Sequence, residues 1–556
     1  MNETRGVPSY SELRKLAAPV VPKIKSEPLC DYIFVAGWPD PLSSGLQGFF
    51  SWRPESVFPD DGGVVIKPDA TAPKSKGRWH RDVEGPFSVK WFGAKGNGSA
   101  DDTKAIQSAV DAATVSRRPG VYFPAGHYRI SRAIELSTDD FTLSGSPGAV
   151  LVLEPASAIV GQFYAPEAIL INKGLPPAEV KRITVRDIRI EVKGGSDLDD
   201  FSAGVVQVNN CTDCVVRNVH VLYTGPIPKP KNIDGIVTSQ GTSGLIQNCT
   251  VDGIPKAGIY VAQGSHDVRV DCCETRNTHG PVGQAGISVT GAKRVIISNC
   301  LSHDNGGSGL FVGVAAPIGG NAGVPATSVQ VLGGMFYNNG EEGVRLASAA
   351  ETWPQNIQII GVTAESNRGR GISIEAGCDI LIDSPVAFAN GVQGIWLQNL
   401  PTDPNVPRTT RVEITNPKVF DNCVSINVDG SGIGLRAADH VTISGGRLSR
   451  TGGNAASRQE YGVALYTGNG AKSCTNLRLL DVDGSAGQKK PLGTLDINTS
   501  FEDPQAAAAS GYYRMQNDGD PEGAISAPPG SEYVDTTTGL VYRKISGTGA
   551  VGWQKL

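Results

Sequence analysis

Three observations predict an all-β solenoid, a parallel β-helix. Segments of the form glycine–apolar–x–apolar recur: GIYV at 258–261, GISV at 286–289, GLFV at 309–312, GVRL at 343–346, GISI at 371–374, GIWL at 394–397 and GVAL at 462–465. The first six are spaced by 28, 23, 34, 28 and 23 residues, as one coil plus optional loops would give, and repeats of this size mark stacked architectures. The apolar residues alternate (Ile287 with Val289, Ile372 with Ile374), and a second strand-like run such as RVIISNC, NIQIIGV or DILIDSP stands before each next turn. Alternation is the period of a strand, and coils pairing above and below bury it.

The elements follow in chain order. Residues 1–85 form a small entry module. Ser9 and Glu12 make a capping box for a short helix, and the runs YIFVAGW, FFSW, GVVIKP and GRWHRD read as short strands. A second helix is expected over 101–115, with Ala105, Ile106, Ala109, Val110 and Ala113 on one stripe, suited to cover the exposed end of a solenoid spanning 86–500. Residues 501–520 read as a linker and 521–556 as a small β unit. Four residues before successive repeat glycines stand Asn305, Asn339, Asn367 and Asn390. At the ~4.8 Å spacing of paired strands their amides can bond up the axis. Asn248-Cys249, Cys272-Cys273 and Asn299-Cys300 make another column, its cysteines read as small interior hydrophobes.

Composition narrows function. Glycine supplies 69 of 556 residues, above the usual ~7%. No run approaches the ~18 apolar residues of a membrane helix. A net charge of −5 argues against non-specific nucleic-acid binding. The opening MNETRGVPSYSELRKLAAPVV lacks the apolar core and cleavage site of a secretory signal. Ten cysteines are too sparse for a disulfide scaffold. Cys211-Thr-Asp-Cys214 has no second ligand pair at zinc spacing, so neither metal nor cofactor is expected.

Residues 89–128 read VKWFGAKGNGSADDTKAIQSAVDAATVSRRPGVYFPAGHY. This segment resembles the opening of the pectate-lyase-like superfamily of right-handed β-helices, in which F-G-A-x-G-[DN]-G leads to D-D-T-x-A-I-Q and then to a [VI]-Y-[FL]-P-x-G-x-Y strand. The tail APPGSEYVDTTTGLVYRKISGTGAVGWQKL resembles an ending common in bacteriophage tail proteins. YIFVAGW, GFFSWRP, DDGGVVIKP and GRWHRDVEGPFSVKWFGAKG together resemble the entry module of phage and prophage tailspikes. The resemblance implies a homotrimer that attaches to the phage tail or baseplate through residues 1–85. It further implies a bacterial surface polysaccharide (capsule, exopolysaccharide or O-antigen) as partner, and a place in the virion tail after synthesis in the host cytoplasm. The superfamily's calcium-binding Asp cluster and R-x-P-x-x-R motif are not evident, which argues against calcium-dependent pectate lyase chemistry.

Equal offsets from the repeat glycine define columns. Two residues after it stand Tyr260, Ser288, Phe311, Arg345, Ser373 and Trp396, expected to face outward. Aromatic faces stack on sugar rings and arginine pairs with sugar carboxylates; burial under a loop or a neighbouring subunit is the alternative. Four residues after it stand Glu375 and Gln398. Glu375, one coil from Arg345 and Trp396, is a candidate general acid or base, or simply a salt bridge to Arg345. Six residues before it stand His303, Tyr337, Glu365 and Phe388, with Asp304 beside His303. A carboxyl there could protonate a glycosidic oxygen. Alternatively Tyr337 or His303 could take the proton alpha to a uronate carboxylate, which is lyase chemistry. Glu342 and Glu375 lie five strand positions apart laterally, about 16 Å, beyond the roughly 5–10 Å of glycosidase carboxylates. Glu342 therefore reads as an ion-pair partner of Arg370. The expected function is a tailspike that cleaves a surface polysaccharide by hydrolysis or β-elimination. The rivals are a non-catalytic tail adhesin and a bacterial lyase or epimerase, which would need export.

Overall fold

The computed structural model describes residues 5–16, 32–37, 45–69, 76–118, 120–154, 167–173, 179–193, 203–226, 233–279, 285–315, 323–348, 352–398, 409–425, 430–451, 454–467, 474–483, 490–496, 511–517 and 519–556 without 526, 528, 536 and 548. The chain divides into two compact units, Met1–Pro230 and Lys231–Leu556.

In the first unit, helix Tyr10–Lys15 starts where expected: the Ser9 hydroxyl accepts the Glu12 amide at 3.3 Å. The four expected runs are strands Tyr32–Val35, Gly48–Arg53, Val65–Ile66 and Arg78–Arg81, joined in one five-stranded sheet by Arg5–Val7. Leu13, Ile33, Val35, Phe50, Ile66 and Trp79 form its core. Arg81 is buried in it, donating to the carbonyls of Leu46, Gln47 and Gly63 under the Phe50 and Trp91 rings. The second helix is Thr103–Val115, with Ile106, Ala109, Val110 and Ala113 buried. It does more than cover apolar surface. Gln107 accepts the Glu135 amide at 2.9 Å and donates to its carbonyl at 3.2 Å, so a side chain satisfies the open backbone edge of strand Ile134–Leu136.

The second unit is built of coils, each contributing to three parallel ladders. The first ladder stacks Ile259–Val261, Ala285–Thr290, Ser308–Ala315, Val344–Leu346, Ile372–Ile374 and Ile395–Gln398. The second stacks Val268–Asp271, Lys293–Ser298, Thr327–Leu332 and Gln355–Ile360. The third stacks Glu274–Arg276, Leu301–His303, Met335–Tyr337, Thr363–Glu365 and Val386–Phe388. A left-handed residue makes the bend from second to third ladder: Asn248, Cys272 and Asn299 each have φ 52°. This corrects one cysteine. Cys249, Cys273 and Cys300 are interior, but Cys272 occupies the bend itself and is exposed. Cys211 and Cys214, in the first unit, are joined as a disulfide.

The asparagine column exists and is buried. Asn305, Asn339 and Asn367 each donate Nδ2–H to the Oδ1 of the next asparagine at 2.9 Å. The same oxygens accept backbone amides at 3.1–3.3 Å. The ladder continues through Asn390 to Asn422 and ends on Gln459. It also explains the repeat glycine. A Cβ on Gly343 would stand 2.7 Å from the Gly371 carbonyl oxygen and 2.8 Å from Asn367 Nδ2.

Near the C-terminus, strand Gly511–Asn517 pairs with Thr475–Asp483 and Glu532–Asp535, inside the stretch read as a linker; residues 501–510 lie outside the described residues. Glu532–Asp535, Val541–Lys544 and Trp553–Lys555 form the antiparallel end unit.

Candidate active site

The first ladder aligns Tyr260, Ser288, Phe311, Arg345, Ser373 and Trp396 on successive coils. The column is real, but its exposure is not as expected. Trp396 is 3% exposed, Ser288 and Ser373 are buried, and Tyr260, Phe311 and Arg345 are half-buried. Tyr466, two coils on from Trp396, packs against its ring edge-on at 4.8 Å, and the Arg370 guanidinium lies 4.8 Å from it. Gly434 follows Trp396 in the column; a Cβ there would meet the indole at 2.5 Å. Trp396 is thus a packed residue with its polar neighbours arranged around it. Among the described residues its Nε1 and the Ser373 hydroxyl have no hydrogen-bond partner.

Beside this column lies a dense group of charges. Arg345 binds Glu375 through Nε and Nη2 at 3.0 and 3.1 Å and reaches Glu341 at 3.5 Å. Arg370 pairs with Glu342 at 3.5 Å and bonds Gln393, which donates to the Tyr466 hydroxyl at 3.0 Å. The Ser308 hydroxyl lies 3.3 and 3.4 Å from Glu341 and Glu342. Glu342 and Glu375 are 8% and 7% exposed. Burial pushes the Glu342 carboxyl above its ordinary value, with the like charges of Glu341 and Glu375 adding, against the two arginines. Burial lowers Arg370. Burial opposes the Arg345 charge, but the bond to Glu375 and the three carboxylates hold its guanidinium above the ordinary value.

Two expectations change here. The Arg345–Glu375 contact is a bidentate, largely buried pair, not a surface one. The flat-strand separation of Glu342 and Glu375 does not apply, because strand Val344–Leu346 is only three residues long. Glu342 stands in the asparagine-ladder turn, outside that strand, and pairs with Arg370.

A second group lies on the third ladder. His303, Tyr337, Glu365 and Phe388 stack in consecutive coils. The His303 and Tyr337 rings are parallel, 4.5 Å apart. His303 is held by Asp304 at 2.7 Å and Glu274 at 3.2 Å, and Arg276 bonds Glu274 at 2.7 Å. Burial first, then Asp304 and Glu274, raise the Tyr337 phenol. Leu301 and Met335, two residues earlier on the same ladder, are 38% and 39% exposed. Elsewhere on the first ladder, the Tyr260 hydroxyl bonds Thr290 at 2.8 Å beneath Lys256, and Gln398 is half-buried.

Sequence reasoning gave no site role to Arg370, Tyr466, Glu274 or Arg276, and set Glu342 aside. Column counting held the signal for three of them: Glu342 and Arg370 share the position before the repeat glycine with Ser308 and Gln393, and Tyr466 stands four after its glycine, as Glu375 does. Among the described residues no cluster of three or more metal-ligating side chains occurs.

Comparison with known proteins sets this geometry in context. Residues 86–311 match the family described as rhamnogalacturonase A/epimerase, pectate lyase-like. The chain is 25% identical over 300 residues to mannuronan C5-epimerase AlgE5 of Azotobacter vinelandii, covering 49% of this chain and 26% of that protein. It is 23% identical over 429 residues to the preneck appendage protein of Bacillus phage PZA, covering 70% of this chain and 46% of that protein. The chain therefore spans less than half of either relative. Among solved structures, the A-module of the Azotobacter vinelandii mannuronan C-5 epimerase AlgE4 superposes with a TM-score of 0.52 at 19% identity, covering 75% of this chain and all of the module. That likeness is one of fold. Residues 86–311 carry a pectate-lyase-like domain of a parallel β-helix, in a chain whose relatives include both polysaccharide epimerases and phage appendage proteins.

Proposed function

We propose that this chain is a phage tailspike that binds a bacterial surface polysaccharide and cleaves it by glycosidic hydrolysis at the first-ladder charge cluster. One observation carries the reading: three glutamates and two arginines are packed together on one face, and burial raises one carboxyl, Glu342. A raised carboxyl is protonated in the range where an ordinary one is not, which suits Glu342 to protonate the leaving glycosidic oxygen. Glu375, gripped by Arg345, serves as the partner carboxylate that activates water or attacks the anomeric carbon. Arg370 and Arg345 orient acidic or polyhydroxylated sugars. The proposal also includes a homotrimer that attaches to the tail through residues 1–85, in line with the phage appendage relatives.

Elimination is the second reading, favoured by His303 clamped between Asp304 and Glu274. In it Asp304 holds the Nδ1–H of His303, and Nε2, once substrate displaces Glu274, takes the proton alpha to a uronate carboxylate while Tyr337 protonates the leaving oxygen; Glu365 flanks the pair. Incubation with capsule, exopolysaccharide and O-antigen from a host panel tests both. Released reducing ends without the ultraviolet absorbance of an unsaturated uronate support hydrolysis. Absorbance that appears with them moves the chemistry to the third ladder. Tight binding with unchanged polymer length makes the protein an adhesin.

A further inference from the structure

The second ladder of the Lys231–Leu556 unit presents its own face. A groove of about 360 Å³ runs along it, lined by residues of four successive coils. Its floor is the column Arg269, Ile296, Gln330 and Gln358, aligned by strand pairing. Two residues earlier stand Asp267, Arg294, Ser328 and Asn356, all left-handed at φ 53–55°. The pairing register steps over Arg294, Ser328 and Asn356, joining Lys293 with Thr327 and Gln355, then Val295 with Val329 and Ile357. These three coils therefore interrupt their pairing at the same point without changing register. A left-handed non-glycine residue costs of order 1 kcal/mol, and the cost recurs in consecutive coils.

We infer that this groove is a second, non-cleaving glycan site that holds a charge-neutral, polyhydroxylated segment several sugars long. The length follows from the rungs: three intervals of ~4.8 Å span about 14 Å, more than one sugar. The class follows from the chemistry. Arg294 is neutralised by Asp267 through two bonds of 2.6 Å, and Arg269 lies 3.5 Å from Asp271, so the groove carries no net charge to select an ion. Gln330 donates to Gln358 at 3.0 Å. This leaves a Gln330 acceptor and a Gln358 donor one rung apart with no protein partner among the described residues, which matches a sugar hydroxyl that both gives and accepts. Ile296 offers an apolar contact for a ring C–H face. The inference rests on the polysaccharide reading above, but not on where cleavage occurs.

The test is binding of the full chain carrying Glu342→Gln, which removes turnover, to an array of bacterial capsular and O-antigen polysaccharides, followed by titration of those bound. Combining Gln330→Ala with Gln358→Ala, or filling the floor with Ile296→Trp, is expected to weaken binding about tenfold or more. Raising salt from about 0.1 to 0.5 M should change the wild-type affinity little. Affinity within about twofold in both groove variants overturns the inference, as does a groove variant that alters the sedimenting mass, since the face then joins chains. The two readings fail separately. Weakened binding in the groove variants with polymer left uncut by the wild-type chain removes cleavage alone. Cut polymer with unaffected groove variants removes the groove alone.

Discussion

Glu342 carries more of the account than its place in the sequence suggests. Its carboxyl is raised by burial, so the folded state holds that proton more tightly than an unfolded chain with a pKa near ~4.3. Its stabilising contribution is then complete below that value and lost as pH rises through the raised folded value. Thermal melts across about pH 4 to 8 should show a loss that Glu342→Gln flattens. The same proton is the one donated to the leaving oxygen, so cleavage should decline on the alkaline side of the profile. Trp396 makes a contrasting case. As a packed residue, Trp396→Ala should cost about 3–5 kcal/mol in urea unfolding. Gly434→Ala, which pushes a methyl into the indole, should cost about 1–3 kcal/mol. A Trp396→Ala variant of unchanged stability would restore the exposed sugar platform that the column suggested.

At the scale of elements, the coil is held by its turn. Asn367→Ala would strip the Asn339 backbone amide of its acceptor and the Phe336 carbonyl of its donor. Two buried groups left unmet should cost about 2–5 kcal/mol in chemical unfolding. Four ladder members were legible because each stands four residues before a repeat glycine. Asn422 was not: it stands ten before Gly432, and Gln459 is a different residue type. The columns were legible as well, since strand pairing fixes them. Their burial was not, because Trp396 is covered by Tyr466 from a coil two steps away, which no local period records. The burial of Glu342 in the charge cluster escaped for a related reason. Strand spacing measures distance along a strand, and Glu342 stands in a turn. In residues 1–85 every expected strand was found, because the apolar runs are short and bounded by Gly and Pro, whereas the inward Arg81 gave no local signal.

For the whole molecule, the Lys231–Leu556 unit places a buried charge cluster and a polar groove on different ladders of one repeating scaffold. A tailspike of the proposed kind should sediment at the mass of three chains, and a monomer at all concentrations would remove the trimer. The central claim is that the first-ladder cluster cuts a bacterial surface polysaccharide. It is met most directly by polymer length on size-exclusion chromatography after incubation with the wild-type chain and with Glu342→Gln. The account predicts shortened chains from the wild type and full-length, still-bound polymer from the variant. Equal shortening by both proteins, or none by the wild type on any host polysaccharide, would contradict it.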